Sequence, residues 1–146
     1  MRVTALMVVA AGLLVAADAP KDDVKKELKK LEGTWVLVSG EQEGKEFSED
    51  IIKSGKLTMT GDKHTVKVGK DTIVGTHTVD PSKKPKTIDA TDTEGPFKGK
   101  TTLGIYEGDD DQFKVCFAAP DKERPKEFTS KSGTGVFVHV WKREKK

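Results

Sequence analysis

From Thr34 onward the chain repeats one pattern, a short run of alternating apolar and polar residues closed by turn formers. The runs are Trp35 to Val38, Lys56 to Thr60, His64 to Val68, Thr72 to Val79, Lys86 to Thr91, Thr101 to Tyr106, Gln112 to Ala118 and Gly135 to Lys142. Between them stand Gly61-Asp62, Gly69-Lys70-Asp71, Asp80-Pro81, Gly95-Pro96 and Gly108 to Asp111, which turn a chain readily. A period of two sends successive side chains to opposite faces, so each run predicts a half-buried strand. Hairpin-length connections favour an up-and-down arrangement, because a Greek-key sandwich needs long crossovers. The polar face left on nearly every run suits a barrel wall. The expected fold is mostly β: an eight-stranded antiparallel up-and-down barrel with a short N-terminal helix.

Turn chemistry also predicts register. If Gly61-Asp62 is a two-residue turn of the glycine-first type, Met59 faces His64 and Leu57 faces Val66. A turn spanning Gly69 to Thr72 places Val68 opposite Ile73 and His64 opposite His77. Both pairings keep the apolar sets on one face, which a one-residue slip would not. His64 and His77 are therefore expected as direct neighbours on the inward face. Two imidazoles held together there resist joint protonation, so both should titrate below about 6.5.

The N-terminal part reads differently. Met1-Arg2, the apolar run Val3 to Val15 and the small-x-small sequence Val15-Ala16-Ala17 predict a signal peptide over 1–17 and export from the cytoplasm. Cleavage after Ala19 also fits the pattern but leaves Pro20 behind the cut. The apolar run is short for a membrane span, so no stable span is expected after cleavage. Residues 18–31 form a linker and helix, 32–143 the barrel, and 144–146 a charged tail. Within the linker, Val24, Leu28 and Leu31 recur at helical spacing, with Asp22 placed to cap the helix and Gly33 to end it. A second helical turn is expected over Ser48 to Lys53.

Loss of Arg2 leaves 25 basic against 24 acidic residues with no concentrated basic footprint, which argues against nucleic acid as a partner. The single cysteine, Cys116, cannot form an intramolecular disulfide. It alternates out of phase with Phe113, Val115 and Phe117, and is expected as a small buried side chain in a strand. No Gly-x-Ser-x-Gly, phosphate-cradling loop or His-Glu-x-x-His occurs, so the chain is not read as an enzyme and needs no cofactor. Asp109-Asp110-Asp111 beside Gly108 is read as a hairpin turn, not a calcium site. Lys122, Arg124, Lys126 and Lys131 punctuate the long segment from Ala119 to Thr134, read as a solvated loop. His64 and His77 could share a metal only with a third ligand such as His139. The expected state is hydrogen-bonded histidines near the rim and no metal.

Leu31-Glu32-Gly33-Thr34-Trp35 at the start and Val140-Trp141-Lys142-Arg143 at the end resemble the lipocalin and wider calycin pattern. That resemblance implies that Trp35 closes the barrel floor and Arg143 packs on its ring. The same two segments, with Lys84-Pro85-Lys86-Thr87-Ile88-Asp89, Lys98-Gly99-Lys100-Thr101 and Gly104-Ile105-Tyr106-Glu107, resemble a conserved-domain family abundant in planctomycete bacteria. This second resemblance implies the same fold and export. It carries no activity, substrate or catalytic residue.

The expected function is binding of a small apolar or amphipathic ligand in the barrel mouth. Leu57, Met59, Val66, Ile73, Phe113, Val115 and Phe117 would line the site, with His64 and His77 as polar contacts. The alternative is an extracytoplasmic protein- or envelope-interaction domain whose barrel is filled by its own side chains. A cavity of several hundred Å³, within the roughly 300–1,000 Å³ of ligand sites, would favour the first reading.

Overall fold

The computed structural model describes residues 19–144. The expected signal peptide therefore lies outside the described residues, as do Lys145 and Lys146. Helix α1 (Lys21–Leu31) leads into β1 (Gly33–Gln42), a two-residue β2 (Lys45–Glu46) and the short α2 (Glu49–Ser54). Then follow β3 (Lys56–Thr60), β4 (Lys63–Val68), β5 (Asp71–Asp80), β6 (Lys86–Glu94), β7 (Thr101–Gly108), β8 (Gln112–Ala118) and β9 (Val136–Arg143). From β3 each strand pairs antiparallel with the next, and β1 joins β3 to β9. This closes an eight-stranded antiparallel barrel, with β2 an appendage on the end of β1. Closure removes the open edges that a flat sheet would present.

Two bulges lengthen strands beyond the alternating runs. One lies between Leu37 and Ser39 in β1, and the skipped Val38 is thrown outward, 50% exposed. The other lies in β6, where Val74 pairs with Glu94 but Gly75 pairs with Asp92. The helix signals need correction. Pro20, not Asp22, occupies the N-cap, and Asp22 and Asp23 sit in the first turn, where carboxylates favour the helix dipole. Gly33 does not stop the helix but opens β1.

The β3–β4 register is the expected one, with Met59 opposite His64 and Leu57 opposite Val66. The β4–β5 register is not. Val68 pairs with Asp71, Val66 with Ile73 and His64 with Gly75, so His64 and His77 are not directly opposed. The turn is the two-residue Gly69-Lys70. Gly69 takes φ +61°, matching Gly61 at +58°, so both corners are of the glycine-first kind. The tighter turn shifts β5 by two residues from the expected pairing. A shift of two preserves the facing, so parity alone does not reveal it.

The floor is built around Trp35, which is fully buried. Its Nε1–H donates to the Leu31 carbonyl at 3.0 Å, and the Arg143 guanidinium lies 4.2 Å from its ring centroid. Arg143 also donates to the carbonyls of Glu32 and Lys30, so one side chain ties the last strand to the end of α1. Gly33 admits this contact: its φ is +128°, and a Cβ there would lie 2.6 Å from the guanidinium. From the middle of α1, buried Glu27 accepts hydrogen bonds from Tyr106 Oη at 2.7 Å and Lys86 Nζ at 2.9 Å. Helix α1 is thus fixed against the barrel by apolar packing at Leu31 and by charge at Glu27.

The long loop after β8 is not simply solvated, a third correction. Phe128 and Val136 pack on Ile105, Cys116 and Val138, a small apolar cluster separate from the main core. Arg124 pairs with Asp89 at 2.7 Å and donates to the Gly104 carbonyl at 2.8 Å. Ser130 donates to Glu41 at 2.9 Å, and Glu43 accepts from the backbone of Gly133 and Gly135. Lys122, Lys126 and Lys131 remain exposed. Cys116 is fully buried beneath this loop, as expected of a packing thiol, and burial pushes its pKa up to about 11.

Candidate functional site

Inward-facing residues of the barrel strands, with Phe97 from the loop between β6 and β7, line a partly open cavity of about 130 Å³. All nine residues expected to line a binding site border it: Leu57, Met59, His64, Val66, Ile73, His77, Phe113, Val115 and Phe117. The wall also includes Ile88, Ala90, Asp92, Phe97, Thr102, Phe137, His139 and Trp141, none of which was in the expected lining. Phe137, His139 and Trp141 alternate along the last run, and that period alone puts them on one face. The cavity is smaller than a hollow barrel would offer, because Trp35, Trp141, Tyr106 and Phe113 fill much of the interior. A larger, half-polar hollow of about 470 Å³ lies elsewhere, with Asp80, Lys83, Asp89 and Arg124 beside Val24 and Val79 in its wall.

A three-group relay crosses the β4–β5–β6 wall. His64 Nε2 lies 3.3 Å from Asp92 Oδ1, and its Nδ1 lies 3.0 Å from Nδ1 of His77. The two rings stack with centroids 5.3 Å apart. Gly75, between His64 and Asp92 in the sheet, makes this possible. A Cβ at Gly75 would stand 2.9 Å from His64 Nε2 and 2.3 Å from the Thr91 carbonyl. The imidazole therefore lies over a strand with no side chain and reaches the next one. The Asp92 carboxylate can only accept, so it faces His64 Nε2–H, and the two Nδ1 atoms share one proton across their 3.0 Å contact. His77 Nε2 is buried, with no hydrogen-bond partner among the described residues.

The diagonal placement thus brings the rings together although they are not paired in register. The surroundings hold His77 neutral: burial, then the neighbouring His64, push its pKa from 6.5 down to about 4. His139 stands apart from this relay. Its ring packs against Phe47, Phe137 and Trp141 at centroid distances of 5.5, 5.3 and 5.8 Å. Burial pushes its pKa down to about 4, so it too is neutral near pH 7.

Other sequence candidates resolve simply. Asp109 Oδ1 accepts from the backbone N–H groups of Asp111 and Gln112, so it closes the β7–β8 hairpin. Among the described residues no group of three or more His, Cys, Asp or Glu side chains is arranged to hold a metal ion. No helix among the described residues is long and apolar enough to cross a membrane.

Fold and cavity define a class of protein: a closed eight-stranded antiparallel barrel, consistent with a lipocalin-like fold, floored by tryptophan and arginine around a small, mainly apolar cavity. The chain matches no protein-family model, no curated protein and no solved structure.

Proposed function

We propose that the chain is an exported, lipocalin-like binding module for a small apolar or amphipathic molecule. The observation that carries this reading is the cavity's wall of aliphatic and aromatic side chains with few polar groups; its volume of about 130 Å³ falls below the several hundred Å³ of a drug-sized ligand site. A cavity of about 150 Å³ lined by apolar residues stays dry and takes up benzene, so the ligand scale here is a single ring or short chain. The apolar run before Ala17 supports export, and the ordered motif set supports kinship with the planctomycete conserved-domain family. The smallness of the cavity favours the second reading, an extracytoplasmic interaction domain whose barrel is mostly filled.

Native mass spectrometry of the protein purified from its own host separates these readings. The expected result is a chain beginning at Asp18 that carries a small molecule, released on denaturation. A bare chain would favour the filled-barrel reading. A dominant full-length chain retaining 1–17 would contradict export.

A further inference from the structure

We propose that His139 is the hydrogen-bonding anchor of the cavity and that the ligand is a small neutral phenol. This rests on the cavity being a ligand site, as proposed above, and names the chemistry it selects. The polar groups of the wall are few, and most are committed. His64 joins His77 and Asp92, and Thr102 Oγ1 points to the Ala90 carbonyl at 3.5 Å. The remaining relay nitrogen, His77 Nε2, has no accessible surface and is out of a ligand's reach. His139 differs from all of these. It borders the cavity, is only partly buried, and no hydrogen bond among the described residues uses its nitrogens.

Three features of the site define the ligand. Its volume is near that of a site for one benzene ring. Phe113, Phe117, Phe137 and Trp141 give it aromatic walls, which favour offset or edge contacts with a ring. A neutral imidazole offers one donor and one acceptor, and an apolar enclosure disfavours a charged guest. A phenol meets all three, with its ring among the aromatics and its hydroxyl donating to the bare imidazole nitrogen.

Titration calorimetry at pH 7.5 with phenol, anisole and benzene tests this. Phenol should bind about tenfold more tightly than either of the others, roughly the effect of one net hydrogen bond. His139→Leu should bring phenol to the benzene level, whatever its effect on the two affinities together. His139→Gln, which keeps a donor and an acceptor, should retain part of the preference. If wild type binds all three alike, or if His139→Leu keeps the preference, the anchor assignment is wrong and the binding-module reading stands. If none of the three binds, the binding-module reading falls with it.

Discussion

Replacing Trp35 by alanine should cost about 3–5 kcal/mol, the usual range for emptying a buried aromatic site. The indole is fully enclosed and touches three parts of the fold at once. It donates to the Leu31 carbonyl, lies beneath the Arg143 guanidinium at 4.2 Å and packs on Phe113 at 5.8 Å between centroids. Truncation leaves a void, an unpaired carbonyl and a cation without its aromatic face, the last worth about 0.5–2 kcal/mol. Because a domain of this kind is stable by about 5–15 kcal/mol, the loss is a large share of the whole. Urea unfolding should show the midpoint falling with little change of slope. Val38→Ala, at a half-exposed bulge, is the control and should stay within about 0.5 kcal/mol. A Trp35→Ala effect no larger than the control would show that the floor does not hold the barrel closed.

The second large effect is acid sensitivity. In the folded state His77 and His139 are both pushed from 6.5 to about 4, His77 by burial and then by His64, His139 by burial. A depressed histidine binds its proton in the unfolded chain first. Its contribution is thus fully present above the unfolded value near 6.5 and is lost progressively as pH falls through about 4. At about 1.4 kcal/mol per pH unit, the His77 ring alone would remove on the order of 3 kcal/mol. His139 should add less, since part of its ring borders the cavity. Glu27 acts in a lower window. Burial opposes its ionisation, but hydrogen bonds from Lys86 and Tyr106 and the charges of Lys86 and Lys30 win and hold it below 4.5. Its contribution is present above that value and lost as pH falls below it. Urea midpoints taken between pH 7.5 and pH 4 should fall steeply below about 6.5, and His77→Gln should flatten the fall. A stability profile level from pH 7 to pH 4.5 would contradict the burial of these imidazoles.

The strands were legible because a period of two is a local signal, and glycine-first turns are readable one hairpin at a time. Met59 opposite His64 followed from Gly61 alone. At Gly69 the expected turn reaching Thr72 and the observed two-residue turn differ by two residues and are identical in facing, so polarity alone does not choose between them. The nine expected cavity residues came from the same alternation. Asp92 did not, because the expected run ends at Thr91, whereas a bulge carries β6 on to Glu94. Contacts between distant segments were the least legible. Nothing local marks Gly75 as the gap through which His64 reaches Asp92, or Arg124 and Phe128 as the residues that fold the long loop over Cys116. Glu27 is similar: within a lysine-rich helix it reads as a solvated carboxylate. Only the packed fold shows Tyr106 and Lys86 waiting for it.

The central claim is that the barrel interior is an accessible apolar site, and methyl-resolved NMR of the purified chain titrated with benzene addresses it most directly. The account predicts saturable shifts at the methyl groups of Leu57, Met59, Val66 and Val115, which border the cavity, with the outward methyls of Val38 unmoved. Unchanged cavity methyls up to the solubility limit of benzene, or shifts that follow exposure instead of the cavity wall, would contradict it.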